Sequence, residues 1–232
     1  MAKYLPFKRK NIADLFFVSM VIQCQRAGGD VVCIVENRMR SSVYLIILDI
    51  MGHGAEASSI HKSISKCCEQ AIRIPLGEGK NLIFMENLNK QLLSLDKNKT
   101  ATCCLLEFKK STGILNIVNA GHPFPLIVKK DKKIVPISLM SSLLGLEEPD
   151  FAVSDQIKLE RGDQIIAFSD ATYEVKGYAN SNFGQKRLRA VLEQTRSKDA
   201  SVMINAIFDA LSTHAGNATR EDDLSIVVVS RN

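Results

Sequence analysis

The sequence predicts an α+β fold built on mostly antiparallel sheets. Two observations predict it. Apolar, β-branched runs of strand length follow one another, and helical periodicity is confined to two pairs of segments. The two patterns are segregated, not alternating as in a parallel βαβ fold. No internal repeat, linker or low-complexity tract is visible in the 232 residues. That length suits one domain with a sizeable core. The expected organisation is a basic N-terminal segment over residues 1–13 and one domain over residues 14–232.

The elements follow in order. Residues 14–24 are apolar and β-branched enough for a strand. Gly28-Gly29 breaks it, Val31 to Glu36 resumes it, and Ser41-Ser42 marks a turn before the continuous apolar strand Val43 to Asp49. The region reads as a β-meander ending at an acid. Gly52-His53-Gly54 is a tight turn. From Ala55 to Ile74, Ala57, Ile60, Ile64, Cys67, Cys68 and Ala71 recur at helical spacing until Pro75 and Gly77 stop the helix. A second helix runs from about Asn81 to Leu95, with Leu82, Met85, Leu88, Leu92 and Leu95 on one face. Strands over Thr102–Phe108 and Ile114–Asn119 flank the turn Lys110-Ser111-Thr112-Gly113. Phe124–Val128 and Ile134–Ile137 flank a lysine-rich turn, and Asp163–Ser169 is the next strand. Helices over Gln185–Gln194 and Ala200–Thr213 precede the final strand, Leu224–Val229.

Composition excludes several function classes. Apolar residues make up 46% and charged residues 24%, as in an ordinary globular protein. Trp is absent and the net charge is only +5. The basic clusters Lys8-Arg9-Lys10 and Lys129-Lys130-Asp131-Lys132-Lys133 are short and carry no interleaved aromatics, so nucleic acid is not the expected partner. Cys24, Cys33, Cys67, Cys68, Cys103 and Cys104 form no C-x-x-C pair and sit mostly in apolar runs. They read as free thiols of a reducing compartment. The start lacks a signal-peptide core, and the longest apolar stretch, Leu15 to Ile22, is too short to span a bilayer. The expectation is a cytoplasmic protein with no membrane partner.

Four aspartates then stand out. Asp30 follows Gly28-Gly29, Asp49 ends Leu45-Ile46-Ile47-Leu48, Asp170 ends Ile165-Ile166-Ala167-Phe168-Ser169, and Asp222 stands beside Asp223 before the last strand. Any one of them reads as a turn or cap residue. As a set, carboxylates at the ends of buried strands are costly to crowd without a cation, and hard oxygen ligands suit Mg²⁺ or Mn²⁺. His53 and His122 are each open to three roles: metal ligand, proton donor or turn residue. His61 and His214 read as helix-surface residues. There is no H-E-x-x-H, no G-x-S-x-G elbow, and no G-K-[ST] after Gly28-Gly29, which disfavours zinc hydrolase, serine hydrolase and P-loop chemistry. Glu174 reads as a surface or capping residue.

Five further segments join Gly28-Gly29-Asp30 in one order. They are Leu48-Asp49-Ile50-Met51-Gly52-His53-Gly54, Asn119-Ala120-Gly121-His122-Pro123-Phe124-Pro125-Leu126, Leu143-Leu144-Gly145-Leu146, Gly162-Asp163 through Ser169-Asp170, and Asp222-Asp223-Leu224-Ser225. In this order the chain resembles the SpoIIE/RsbU-type phosphatases, the bacterial branch of the metal-dependent (PPM, type 2C) serine/threonine protein phosphatases, from about Asp14 to Val229. The resemblance implies a four-layer α-β-β-α sandwich, two central antiparallel sheets flanked by helices. It implies two Mn²⁺ or Mg²⁺ ions: Asp30 and Asp49 would bridge or bind both, helped by the Ile50 backbone carbonyl, and Asp170 and Asp222 would hold the second, with Asp223 close by. Metal-activated water would attack phosphorus in line, without a covalent phosphoenzyme. The implied substrate is a phosphorylated STAS-domain anti-sigma-factor antagonist in partner-switching signalling. The competing reading is a catalytically weak, phosphatase-like binding module. Either form would be a monomer or homodimer.

The chain departs from the family pattern at named positions. Val31-Val32-Cys33 replaces an aromatic pair and an acid, a change expected to alter the surroundings of the ligands. Ala171 stands where glycine is usual, followed by Thr172. Met51 occupies the place of the proton-donating histidine of the eukaryotic branch, which leaves His53 as the nearest candidate acid. Arg26 is the candidate phosphate-binding arginine. Regulation is expected from a separate partner, from expression, or not at all. The segments Ser138–Gln156 and Tyr173–Phe183 are candidates for a flap over the site.

Overall fold

The computed structural model describes residues 7–24, 28–52, 55–71, 80–131, 133–154, 156–196, 199–220 and 222–232. The predicted helix end at 72–74 lies outside them. The chain forms two compact units. One comprises the residues up to Cys24, Pro125–Ile137 and Glu160–Asn232, and the other comprises Gln25–Phe124 and Ser138–Leu159.

The first unit holds a six-stranded antiparallel sheet. Its strands are β1 (Lys8–Ile12), β2 (Leu15–Ile22), β7 (Leu126–Val128), β8 (Ile134–Pro136), β10 (Gln164–Phe168) and β11 (Leu224–Arg231). They lie in the order β1-β2-β11-β10-β7-β8. Helices α3 (Ala171–Glu174), α4 (Gly184–Thr195) and α5 (Ala200–Ala215) belong to the same unit. Period-2 alternation sends Val18, Met20, Ile226 and Val228 into a core shared with Leu188, Leu192, Met203, Ile204, Ile207 and Leu211 of the helices. Asp199 caps α5 by accepting the Val202 N–H at 2.9 Å, and Gly216 ends it at φ 55°.

The second unit holds a five-stranded antiparallel sheet: β3 (Asp30–Asn37), β4 (Ser42–Ile50), β5 (Ala101–Lys109), β6 (Ile114–Ala120) and β9 (Ile157–Lys158), in the order β3-β4-β5-β6-β9. Helices α1 (Ala55–Ala71) and α2 (Lys80–Leu95) cover one face. Val31, Cys33, Tyr44, Ile46, Leu48 and Ile50 meet Ile60, Ile64, Cys68, Met85, Leu88 and Leu92 there. Both predicted helix pairs therefore exist, and two antiparallel sheets carry them, as the fold class required. Among the described residues no helix is long and apolar enough to cross a membrane.

One expectation needs correction. The region from residue 14 to Asp49 is not a meander. Strand β2 pairs with β1 and β11, whereas β3 pairs with β4 in the other sheet. Apolar periodicity identifies each strand but carries no information about its pairing partner. Within the basic N-terminal segment, Lys8–Ile12 is an edge strand registered on Leu15–Ser19. Its Lys8, Arg9 and Lys10 are exposed, and charge on an edge discourages pairing with another chain.

Candidate active site

In the five-stranded unit the antiparallel register sets Asp30 directly opposite Asp49. Alternation places both on the face opposite Val31 and Leu48, away from the helix-covered core. Asp30 is only 3% exposed. Two acids facing across strands repel one another, so the pair favours a cation between them. Gly29 explains why the chain can come so close. A Cβ there would lie 2.6 Å from the Ile50 carbonyl oxygen and 3.4 Å from Asp49 Oδ1. Both oxygens thus converge on a space that only glycine leaves open, and the Ile50 N–H donates back to the Gly29 carbonyl at 3.4 Å. Asp30, Asp49 and the Ile50 carbonyl lie together at this end of β3 and β4. The oxygen donors fit a hard divalent cation.

This acid pair is braced from the next strand. Thr102 is the register partner of Asp49 on β5. Its hydroxyl lies 2.7 Å from His122 Nδ1. His122 is 1% exposed. Its N–H donates to Asn119 Oδ1 at 2.8 Å, and its carbonyl accepts from Asn119 Nδ2 at 2.9 Å. Of the three roles open to His122, the described contacts are those of a turn residue. The segment Asn119 to Pro123 is a self-closed turn, with Gly121 at φ 68°, and it supports Thr102 behind Asp49.

In the six-stranded unit, β10 and β11 are adjacent and antiparallel, with Phe168 opposite Ile226. The end of β10 and the start of β11 therefore share one sheet edge, and Asp170 and Asp222 sit there. Two serines clamp this edge. The Ser169 N–H donates to the Ser225 carbonyl at 2.9 Å, and the Ser225 N–H donates to Ser169 Oγ at 3.0 Å. Asp170 opens α3 without using its side chain as a cap. Asp222 is exposed and accepts the Asp223 N–H at 2.7 Å. Asp223 is buried and accepts the Cys24 N–H at 2.7 Å. Asp223 is thus an anchor, and Asp222 is the member turned outward. Tyr173, edge-on to Phe168 with centroids 5.0 Å apart, has its hydroxyl pushed up to about 12 by burial, so it stays neutral beside Asp170.

Each unit thus carries a pair of acids at its strand ends. Among the described residues no three His, Cys, Asp or Glu side chains form a ready ligand cluster. His53 and Arg26 lie outside the described residues. The departures leave Asp30, Asp49, Asp170 and Asp222 in place. The methyl of Ala171 is buried in the unit's core. Cys33 points to the helix side of its sheet, 3.9 Å from Ser65 Oγ, on the face opposite Asp30.

The first flap candidate is bonded to neighbouring elements, and the second is closed on itself. Ser141, Leu144 and Gly145 donate to the Asn119 carbonyl, the Ala101 carbonyl and Asn89 Oδ1 respectively. Gly177 donates to the Ser181 carbonyl and Phe183 to the Val175 carbonyl. His214 is more than a surface residue. It bonds the Ser181 carbonyl at 2.9 Å and packs where a Cβ on Gly177 would stand. Sequence reasoning missed the Ser169–Ser225 clamp and the anchoring of Asp223 on Cys24. The only signal was the serine beside each acid motif.

Comparison with known proteins agrees with this architecture. The family described as Stage II sporulation protein E (SpoIIE) matches residues 40–232. The phosphoserine phosphatase RsbU of Bacillus subtilis is 22% identical over 213 residues, covering 90% of this chain and 61% of its own length. Protein IcfG of Synechocystis is 23% identical over 164 residues, covering 67% of this chain and 26% of its own length. This chain therefore spans less than two thirds of either relative. The solved SiaA-PP2C domain of Pseudomonas aeruginosa superposes with a TM-score of 0.79 at 13% identity, covering 93% of this chain and 85% of that domain. At that identity the likeness is one of fold.

Proposed function

From the premise that this chain belongs to the SpoIIE family, we propose that it is a divalent-metal-dependent protein phosphatase acting on phosphoserine or phosphothreonine. The observation that carries the reading is the glycine cradle, where Asp49 Oδ1 and the Ile50 carbonyl converge on the space of a missing Cβ, with Asp30 next in the chain and opposite Asp49 in register. These three would hold one Mn²⁺ or Mg²⁺ ion. Asp170 and Asp222 would hold a second, with Asp223 behind Asp222. When bound, two such ions lower the pKa of water and neutralise phosphoryl oxygens.

The chain's own residues orient this chemistry. The serine clamp fixes the strand edge that carries Asp170 and Asp222. Thr102 and His122 brace Asp49 from the neighbouring strand. His53 is the candidate proton donor to the leaving seryl or threonyl oxygen. Among the described residues at these strand ends no side chain is an activated nucleophile, which accords with direct attack by water. The substrate we assign is a phosphorylated STAS-domain anti-sigma-factor antagonist, within partner-switching signalling in the cytoplasm. Family membership and the likeness to a phosphoserine phosphatase support that assignment.

The test is hydrolysis of p-nitrophenyl phosphate and of a phosphoserine protein with Mn²⁺, Mg²⁺ or EDTA, beside Asp49→Asn. Turnover that needs metal and is lost in the variant is expected. A folded protein inactive with every metal would move the reading to a binding module.

A further inference from the structure

The six-stranded unit carries a cleft of about 100 Å³ between α3, the end of α5 and the approach to β11. Ala171, Val175, Leu211 and Ala215 give it apolar walls, and Asp222 and Arg220 stand at it together. We propose that Arg220 is the side chain that receives the phosphoryl group of the substrate. The inference rests on the metal-dependent reading, since it takes Asp222 as a ligand.

Three observations carry it. First, the Arg220 side chain is half-buried and engages no hydrogen-bond acceptor or carboxylate among the described residues. A guanidinium so placed keeps its donors available to an arriving anion. Second, its backbone is fixed. The Cys24 thiol donates to the Arg220 carbonyl at 3.0 Å, and the Cys24 N–H donates to Asp223 at 2.7 Å. Both ends of the Arg220–Asp223 segment are therefore pinned to the end of β2, which limits where the guanidinium can reach. Third, the other cation lining the cleft is committed: Lys176 Nζ donates to Asn182 Oδ1 at 2.7 Å.

A guanidinium presents paired donors that match phosphoryl oxygens. A metal on Asp222 would bring the phosphoryl group to the edge of this same cleft. Glu174 also lines the cleft. Its charge opposes an anion, so its neutralisation should strengthen phosphate binding.

The experiment is calorimetric titration of inorganic phosphate into the Mn²⁺-loaded chain, for the wild type, Arg220→Met, Arg220→Lys and Glu174→Gln. Arg220→Met should weaken phosphate roughly ten- to hundredfold, with Mn²⁺ affinity and melting temperature unchanged. Arg220→Lys should lose less, and Glu174→Gln should gain a few-fold. Phosphate affinity unchanged in Arg220→Met, no phosphate binding by the wild type, or a parallel loss of Mn²⁺ affinity would each overturn the proposal. If Arg220 governs phosphate binding but the wild type hydrolyses nothing, the phosphatase reading falls and this one stands. If the wild type hydrolyses phosphoserine and Arg220→Met binds phosphate normally, the role of Arg220 falls and the phosphatase reading stands.

Discussion

Replacing Gly29 with alanine isolates the cradle from the rest of the fold. The added Cβ would stand 2.6 Å from the Ile50 carbonyl oxygen, where ordinary contact begins at 3.4 Å, so the shortfall is 3.4 − 2.6 = 0.8 Å. Gly29 is not among the residues with positive φ. The alanine therefore meets a carbonyl and not a forbidden backbone region. Neighbouring backbone must give way, and the group that moves is a proposed ligand. Ligand distances tolerate only about 0.2 Å, so Mn²⁺ affinity should fall about 10- to 100-fold. Stability should change less. Overpacking costs about 1–3 kcal/mol, and the stiffer unfolded chain offsets about 0.4–1 kcal/mol of it. The assay pairs Mn²⁺ titration, by calorimetry and by turnover, with thermal unfolding in EDTA. A variant that melts lower in EDTA yet binds Mn²⁺ as the wild type does would refute the argument, because the clash would then be relieved away from the ligand.

Other substitutions separate ligation from anchoring. Asp170→Asn should lower turnover at least about 100-fold with little change in melting temperature, because the side chain makes no capping bond to α3. A large drop in melting temperature would show Asp170 to be structural. Asp223→Ala leaves the Cys24 N–H without its acceptor. It should cost about 1–3 kcal/mol in urea unfolding, and a stability equal to wild type would refute the anchor. Tyr173, ordinarily near 10, is pushed up to about 12 by burial. Its contribution is fully present below pH 10 and is lost as pH rises toward 12, because only the unfolded state ionises readily in that window. Tyr173→Phe should flatten the alkaline loss of stability, and an unchanged profile would remove Tyr173 as its cause.

The fold is readable where periodicity is strong. Ile46, Leu48 and Ile50 on β4, and Met85, Leu88 and Leu92 on α2, occupy the faces their spacing predicts. Strand partners are not readable, because hydrophobic alternation is the same whichever strand lies alongside. That is why chain order alone places β2 wrongly in the sheet of β3. The acids are readable as residue types at strand ends, but their division of labour is not. Asp222 and Asp223 look equivalent in sequence, yet one faces a cleft and the other holds Cys24. Glu107 gives no signal at all. It is 1% exposed and accepts from Ser42, Tyr44, Asn81 and Asn116, so it is a structural acid remote from any motif.

The sequence by itself determined the α+β class, the elements, the order of the motifs and the candidate oxygen donors, since these depend on local spacing and side-chain chemistry. Tertiary structure decided which strands pair, that Asp30 opposes Asp49, and that Gly29 leaves room for the Ile50 carbonyl. It also decided that His122 bonds Thr102 and that Arg220 reaches the cleft of Asp222. These are relations between residues far apart in the chain, set by sheet register and backbone approach, which no local pattern encodes.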